Sequence, residues 1–186
     1  MKLRKQVLSI LCVGMLAFVV GCTHEQAPTT GKSEPTQETK VNKDAETSKV
    51  SQEMVKMAFF VPTEDGSGGK QTTVEIEANK VTPKAALLAM LNADRAQKYP
   101  VFSKDIEITS VTVKDGIASV EVNDAFVKGN GGDLTVKLQM AAIVNTLTSF
   151  DNINGVLFVN NGKKVPTVGS FDTKEPVKRM TNLIKK

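Results

Sequence analysis

The chain has 186 residues, with 24 Lys+Arg against 20 Asp+Glu. The basic excess sits at the two ends: Lys2, Arg4 and Lys5 open the chain, and residues 171–186 carry five bases against two acids, so no nucleic-acid-binding surface is implied. A 40% apolar content with no Trp and one Tyr leaves room for one globular domain and excludes collagen-like, fully disordered and multi-span membrane classes.

Residues 1–22 read MKLRKQVLSILCVGMLAFVVGC. A basic start leads into fourteen mostly apolar residues, 7–20. A spanning helix needs about 20, so the run fits the apolar segment of a signal peptide. It ends in Val19-Val20-Gly21-Cys22, which resembles the lipobox of bacterial lipoproteins. That resemblance implies a signal peptide over 1–21, diacylglycerol on the Cys22 thiol, and a domain held outside the cytoplasm on a bacterial membrane. Cys12 is the only other cysteine and lies in the signal segment. The mature chain is then expected to hold no disulfide and no cysteine metal cluster.

Residues 22–53 read as a disordered tether. From 23 onward its apolar residues are Ala27, Val41, Ala45 and Val50, too few to offset the entropy of ordering. The domain is expected over 54–170. Met57, Phe59 and Val61 alternate with Lys56, Ala58 and Phe60 in a first strand that Pro62 ends. A Gly-rich turn at 65–69 leads to a second, shorter strand around Thr73 to Glu77. Thr82-Pro83 is a helix start, with Thr as N-cap and Pro at the first helical position. Leu87, Leu88 and Leu91 supply that helix's buried side.

Residues 106–122 read as a β-hairpin turning at Asp115-Gly116, a type I′ signal. The apolar phase of its first arm shifts between Ile106/Ile108 and Val111/Val113, which predicts a bulge near Ser110. After the loop KGNGGD at 128–133, with Asp133 as expected N-cap, comes a long helix. Its stripe is Val136, Met140, Ile143, Leu147 and Phe150, widened by Leu134, Leu138 and Ala141. The run GVLFV at 155–159 predicts a central strand, and Asn161-Gly162 turns the chain into a short return arm. The order β-α-β-β-α-β, with one apolar stripe per helix, predicts an α+β fold: a mixed β-sheet with both helices packed on one face. Residues 171–186 are expected as a solvated basic tail, although Val177, Met180, Leu183 and Ile184 are spaced for a short docked helix.

Several residues carry groups capable of chemistry. His24, the one histidine, falls in the tether, so no histidine base is available to a triad. Ser103-Lys104 reads as a solvated loop, not a dyad. Asp124, Asp133, Asn123 and Asn130 match no calcium-loop spacing, and turn chemistry accounts for them. The glycine loop lacks the Gly-Lys-Ser/Thr ending of a phosphate cradle. Asn145 and Thr146, polar among apolar neighbours, are expected to fix a loop or an adjoining element by hydrogen bonds. No catalytic residue, metal site or cofactor is therefore assigned.

The same segments resemble the GerMN domain of sporulation and spore germination lipoproteins. The resemblance is carried by MAFFV at 57–61, TPKAALLAML at 82–91, ITSVTVKDGIASVEV at 108–122, LQMAAIVNTLT at 138–148 and GVLFVNNG at 155–162. It covers about residues 54–179, and the chain has room for one such domain. It implies a fold similar to ring-building modules and a non-enzymatic binding or scaffolding role, in sporulation, germination or envelope assembly. The expected partners are the membrane, through lipid at Cys22, and an envelope protein or further copies of the chain, with no nucleic acid. The alternative is an envelope lipoprotein that binds or processes cell-wall fragments. A carboxylate-lined cleft would favour that alternative, and a bare sheet edge would favour scaffolding.

Overall fold

The computed structural model describes residues 53–186. Strand β1 (Met54–Pro62) pairs antiparallel with β2 (Gly69–Glu77) along their whole length. Helix α1 (Pro83–Arg95) follows, and its Thr82 cap accepts the Ala85 N–H, with Pro83 inside the first turn. Next come the hairpin β3 (Ile108–Lys114) and β4 (Ile117–Val122), the one-turn helix α2 (Asp124–Val127) and the long helix α3 (Gly132–Leu147). Strand β5 (Gly155–Asn160) and the two-residue strands β6 (Lys163–Lys164), β7 (Thr167–Val168), β8 (Phe171–Asp172) and β9 (Ile184–Lys185) complete the order.

The fold is α+β. Its strands divide between two main sheets, ordered β1-β2-β9 and β3-β4-β5-β6, with β7 and β8 as a separate pair. Strands β4 and β5 run parallel, joined through α3, and the hairpins on either side of them are antiparallel. The division follows from the position of α3, which packs against β1 on one side and β5 on another, and also against α1. Phe59 and Val61 of β1, Leu87 and Met90 of α1, Met140 and Ile143 of α3 and Phe158 of β5 share one core. Phe126 and Phe158 stack in it, with ring centroids 5.4 Å apart.

Helix α3 departs from the one-stripe expectation. Every residue from Leu138 to Leu147 is buried, whereas Leu134, expected in the stripe, is 59% exposed. A helix enclosed on all sides must be apolar or internally satisfied all round. Ala141 and Ala142 let its neighbours approach closely, and Gln139, Asn145 and Thr146 are the polar members that need partners.

The local signals behave as their chemistry requires. Asp115 and Gly116 have φ of 50° and 78°, and Asn161 and Gly162 have 51° and 72°, the positive pairs of type I′ hairpin turns. The register of β3 against β4 shifts between Ile108 and Ser110, which leaves Thr109 as the bulge. Strand β2 is longer than expected, starting at Gly69. Strand β5 is central, but only Val156 and Phe158 are buried side chains. Leu157 and Val159 are partly exposed, so its second face is only half covered.

The C-terminal segment is built into the domain, which corrects the solvated-tail reading. Val177 bridges to Val156 of β5, a short turn at Thr181–Leu183 packs on α3, and β9 pairs parallel with Gly69 and Lys70 of β2. The docked-helix alternative is realised only as a single 3-10 turn, Thr181–Leu183, that includes Leu183. Val177 and Ile184 are spent instead on strand-like pairing.

Candidate functional site

Cys22, the signal segment and the tether lie outside the described residues. Among the described residues, the polar candidates of the sequence resolve into structural roles. Asn145 makes a two-way clamp on the C-terminal segment: its Oδ1 accepts the Met180 N–H at 2.8 Å and its Nδ2 donates to the Met180 carbonyl at 3.2 Å. Thr146 Oγ1 accepts the buried Phe60 N–H of β1 at 2.9 Å. The Arg179 guanidinium lies 5.1 Å from the Phe60 ring centroid and donates to the Asn145 carbonyl and Thr148 Oγ1. Helix α3 is thereby tied by its polar residues to β1 and to the end of the chain.

The glycine loop is a packing device. A side chain at Gly129, whose φ is 68°, would meet the Gly169 Cα at 2.6 Å, so two backbones touch there. Asp133 is not the helix cap. Gly131 holds that position in the left-handed region, and Asp133, in the first turn, accepts from Ser170 Oγ at 2.6 Å. Asp124 instead accepts from Asn160 Nδ2. The two aspartates thus serve different partners, and no group of three or more metal-ligating side chains of the His, Cys, Asp and Glu types occurs among the described residues. Ser103 and Lys104 are exposed, and Arg95 is hydrogen-bonded to the Ser103 carbonyl.

A clamp that no sequence motif marks holds the loop after α1. The fully buried Asp94 accepts from the Val101 and Phe102 N–H groups at 3.3 and 2.9 Å. Arg95 donates to the Ser103 and Ile106 carbonyls, and Gln139 of α3 donates to the Val101 carbonyl. Burial pushes the Asp94 carboxyl above its usual range, against the two N–H groups and the Arg95 charge, which pull it down. The available signal was a carboxylate in the last turn of a helix, where the macrodipole disfavours it.

Two surfaces remain as candidates. The first is an open cleft of about 390 Å³ where β4, α2 and the β5–β6 turn meet, lined by Glu121, Asn123, Asp124, Asn160 and Asn161. Its polar groups are largely engaged with one another. Asn123 caps α2 by accepting from Phe126 N–H, and also accepts from Glu107 N–H and donates to the Asp105 carbonyl. Asn160 donates to the Val122 carbonyl and to Asp124, Asn161 donates to Asn160, and Glu121 accepts the Gly162 N–H. These bonds hold together the turns that form the walls.

The second is the outer edge of β2. From Gln71 to Glu75 every residue is exposed, so this stretch is open on both faces. Among the described residues β9 covers the edge only at Gly69 and Lys70. Thr72, Val74 and Ile76 stand opposite Phe59, Met57 and Val55 of β1. The other sheet's edges are blunted. Strand β3 carries the Thr109 bulge, whose carbonyl is bonded by Lys84 Nζ at 2.6 Å, and β6 is two residues long.

Comparison with known proteins follows the same outline. The sequence model of the Germane family, described as sporulation and spore germination, matches residues 57–166. A candidate lipoprotein from Clostridium perfringens is similar at 22% identity and a TM-score of 0.47, over 70% of this chain and 91% of that one. The tandem GerMN domains of the sporulation protein GerM from Bacillus subtilis are similar at 19% identity and a TM-score of 0.48, over 71% of this chain and 47% of that one. The first GerMN domain of that protein alone gives 18% identity and a TM-score of 0.50, over 67% of this chain and 98% of the domain. No curated protein sequence matches the chain.

Proposed function

Because the chain belongs to the Germane family of sporulation and spore germination domains, we propose that it is a non-enzymatic binding and scaffolding module. Lipid on Cys22 holds it outside the cytoplasmic membrane, and it recognises an envelope protein by strand addition. The observation that carries this reading is the edge of β2 from Gln71 to Glu75, exposed on both faces, without a bulge and covered by no strand among the described residues. An edge of that kind offers backbone donors and acceptors to an incoming strand, while alternate side chains select the partner.

The cleft at Glu121 and Asp124 supports the second reading, capture of a hydroxyl-rich cell-wall fragment. The geometry favours the edge over it. The cleft amides are spent on capping α2 and closing the β5–β6 turn, so a ligand would have to displace bonds that hold the turns. Crosslinking of the native lipoprotein in living cells, followed by mass spectrometry, separates the two readings. Scaffolding predicts adducts to discrete envelope proteins or to copies of the chain, lost when Thr73→Pro interrupts the edge. Recovery of glycan fragments with no protein adduct would overturn it.

A further inference from the structure

We propose that β3 is a self-pairing edge: it joins β3 of a second copy of this chain, antiparallel, about a two-fold axis at Thr112. Strand β3 ends its sheet, with β4 on one side and no strand on the other among the described residues. The bulge at Thr109 blunts it only at its start. From Ser110 to Lys114 the register against β4 is regular, and all but the half-buried Val111 are exposed. This edge is distinct from that of β2, and either can fail without the other.

The sequence SVTVK at 110–114 is self-complementary. Centred on Thr112, an antiparallel partner sets Thr112 against its own copy, Val111 against Val113 and Ser110 against Lys114. Residues opposite one another share a face, so the valines of both copies meet on one side. That is the core side, because Val111 and Val113 stand opposite the buried Val120 and Ala118 of β4. Val113 is 37% exposed in the single chain, and the pairing covers it.

Two contacts beyond the strands fit the same axis. Just outside the paired residues, Thr109 comes opposite Asp115 of the second copy. Lys84 Nζ rests on the Thr109 carbonyl at 2.6 Å, and Asp115 is exposed at the tip of its turn, so opposite charges meet at both ends of the pair. Leu88 is on the flank of α1 that faces β3. On that flank Lys84, before it, reaches Thr109, and Arg95, after it, reaches Ser103 and Ile106. The Leu88 side chain is 42% exposed and lies toward Val113 of the second copy.

Neighbouring registers fail. Centring on Val111 places Val113 of the second copy against the bulged Thr109, whose carbonyl Lys84 already holds. Centring on Val113 leaves only Thr112 to Lys114 before the chain turns at Asp115. A parallel partner in register sets Lys114 beside Lys114, a like-charge pair. A pair this short buries less than the roughly 1,000 Å² of a stable interface. It forms where copies are held close, as lipid at Cys22 holds them, and to that extent it rests on the proposed anchor.

The test is disulfide trapping of the full-length chain in cells that produce it. Membrane and medium fractions are oxidised separately, so that loss of the anchor and loss of pairing are told apart. Thr112 is exposed, and two copies of it directly opposite have Cα atoms about 4.5–5.5 Å apart, inside disulfide range. Lys163→Cys, on the exposed far edge of the same sheet, is the control. The expected result is a covalent dimer from Thr112→Cys at no less than about ten times the yield from Lys163→Cys. Asp115→Asn, which keeps a residue that tolerates the positive φ of that turn, should lower the Thr112→Cys yield several-fold by removing the charge that faces Lys84. Ser110→Cys and Lys114→Cys should link to each other when both chains are made in one cell, and poorly alone. Equal yields at positions 112 and 163, or no dimer in either fraction, would overturn the pairing. Efficient linking of Ser110→Cys to itself would overturn the antiparallel register. Thr73→Pro, which interrupts the edge of β2, should leave the dimer in place, and loss of the dimer there would show the copies to be joined through β2 instead.

Discussion

A single threonine illustrates how a buried helix is tied to a strand. Thr146 Oγ1 is the acceptor for the buried Phe60 N–H, and a valine of the same shape has no acceptor to offer. Thr146→Val is expected to lower unfolding free energy by about 1–3 kcal/mol, measured by urea denaturation, because the donor would stay buried without a partner. Asp94 gives a pH-dependent counterpart. Its folded carboxyl titrates above the usual value, so the folded state takes up this proton before the unfolded state does. The resulting stability is fully present below the unfolded pKa of about 3.9 and is lost as pH rises through the raised folded value. The difference in urea midpoint between the native chain and Asp94→Asn should therefore change across that window, and a flat difference from pH 3 to 8 would refute it. Asp65 has the opposite sign. Hydrogen bonds, first from the Thr63 hydroxyl, hold its carboxyl down at about 2, so its contribution is present above the usual range and is lost as pH falls toward 2. The two windows lie on opposite sides of the ordinary aspartate value.

At the scale of elements, α3 decides the architecture. Its exposed start, with Leu134 and Asp133 outside the core, gives way to ten buried residues that touch both sheets. Asn145 turns one face of this helix into a strand partner by imitating a peptide group toward Met180. Asn145→Ala is expected to release the C-terminal segment before the rest of the domain. Hydrogen exchange at the Met180 amide should rise by at least tenfold, with α1 and the β3–β4 hairpin unaffected. Uniform loss of protection would show that the segment is not a separate unit. The helix start at Thr82-Pro83, the two turns at Asp115-Gly116 and Asn161-Gly162 and a bulge beside Ser110 were legible because each depends on local backbone chemistry. The cap of α3 was misread at Asp133 because three glycines allow the chain to enter the helix through the left-handed region at Gly131.

For the whole molecule, the last residues belong to the fold. The family match ends at 166, yet Arg179 covers Phe60, Val177 pairs with β5 and Ile184 pairs with β2. Deleting residues 175–186 is expected to lower stability, by up to about 2 kcal/mol through re-exposure of Phe60 and further through the lost backbone pairs. Thermal unfolding of the truncated chain would check this, and an unchanged midpoint would show that the segment only decorates the domain. The deletion also removes β9, which uncovers the β2 edge at Gly69 and Lys70.

Taken by itself, the sequence determined the α+β class, the element boundaries that rest on turns and caps, and the structural use of Asn145 and Thr146. Those depend on periodicity, on left-handed or capped backbone positions, and on the need of polar groups in an apolar helix for partners. Only the tertiary structure decided that the strands divide into two sheets around α3 and that Asp94, Arg95 and Gln139 grip one loop. It alone decided that the basic end of the chain is docked and that, among the described residues, β9 covers the outer edge of β2 only at Gly69 and Lys70. These are pairings between residues far apart in the chain. Composition and spacing set what each residue needs, but the partner that meets the need is chosen by how the elements pack.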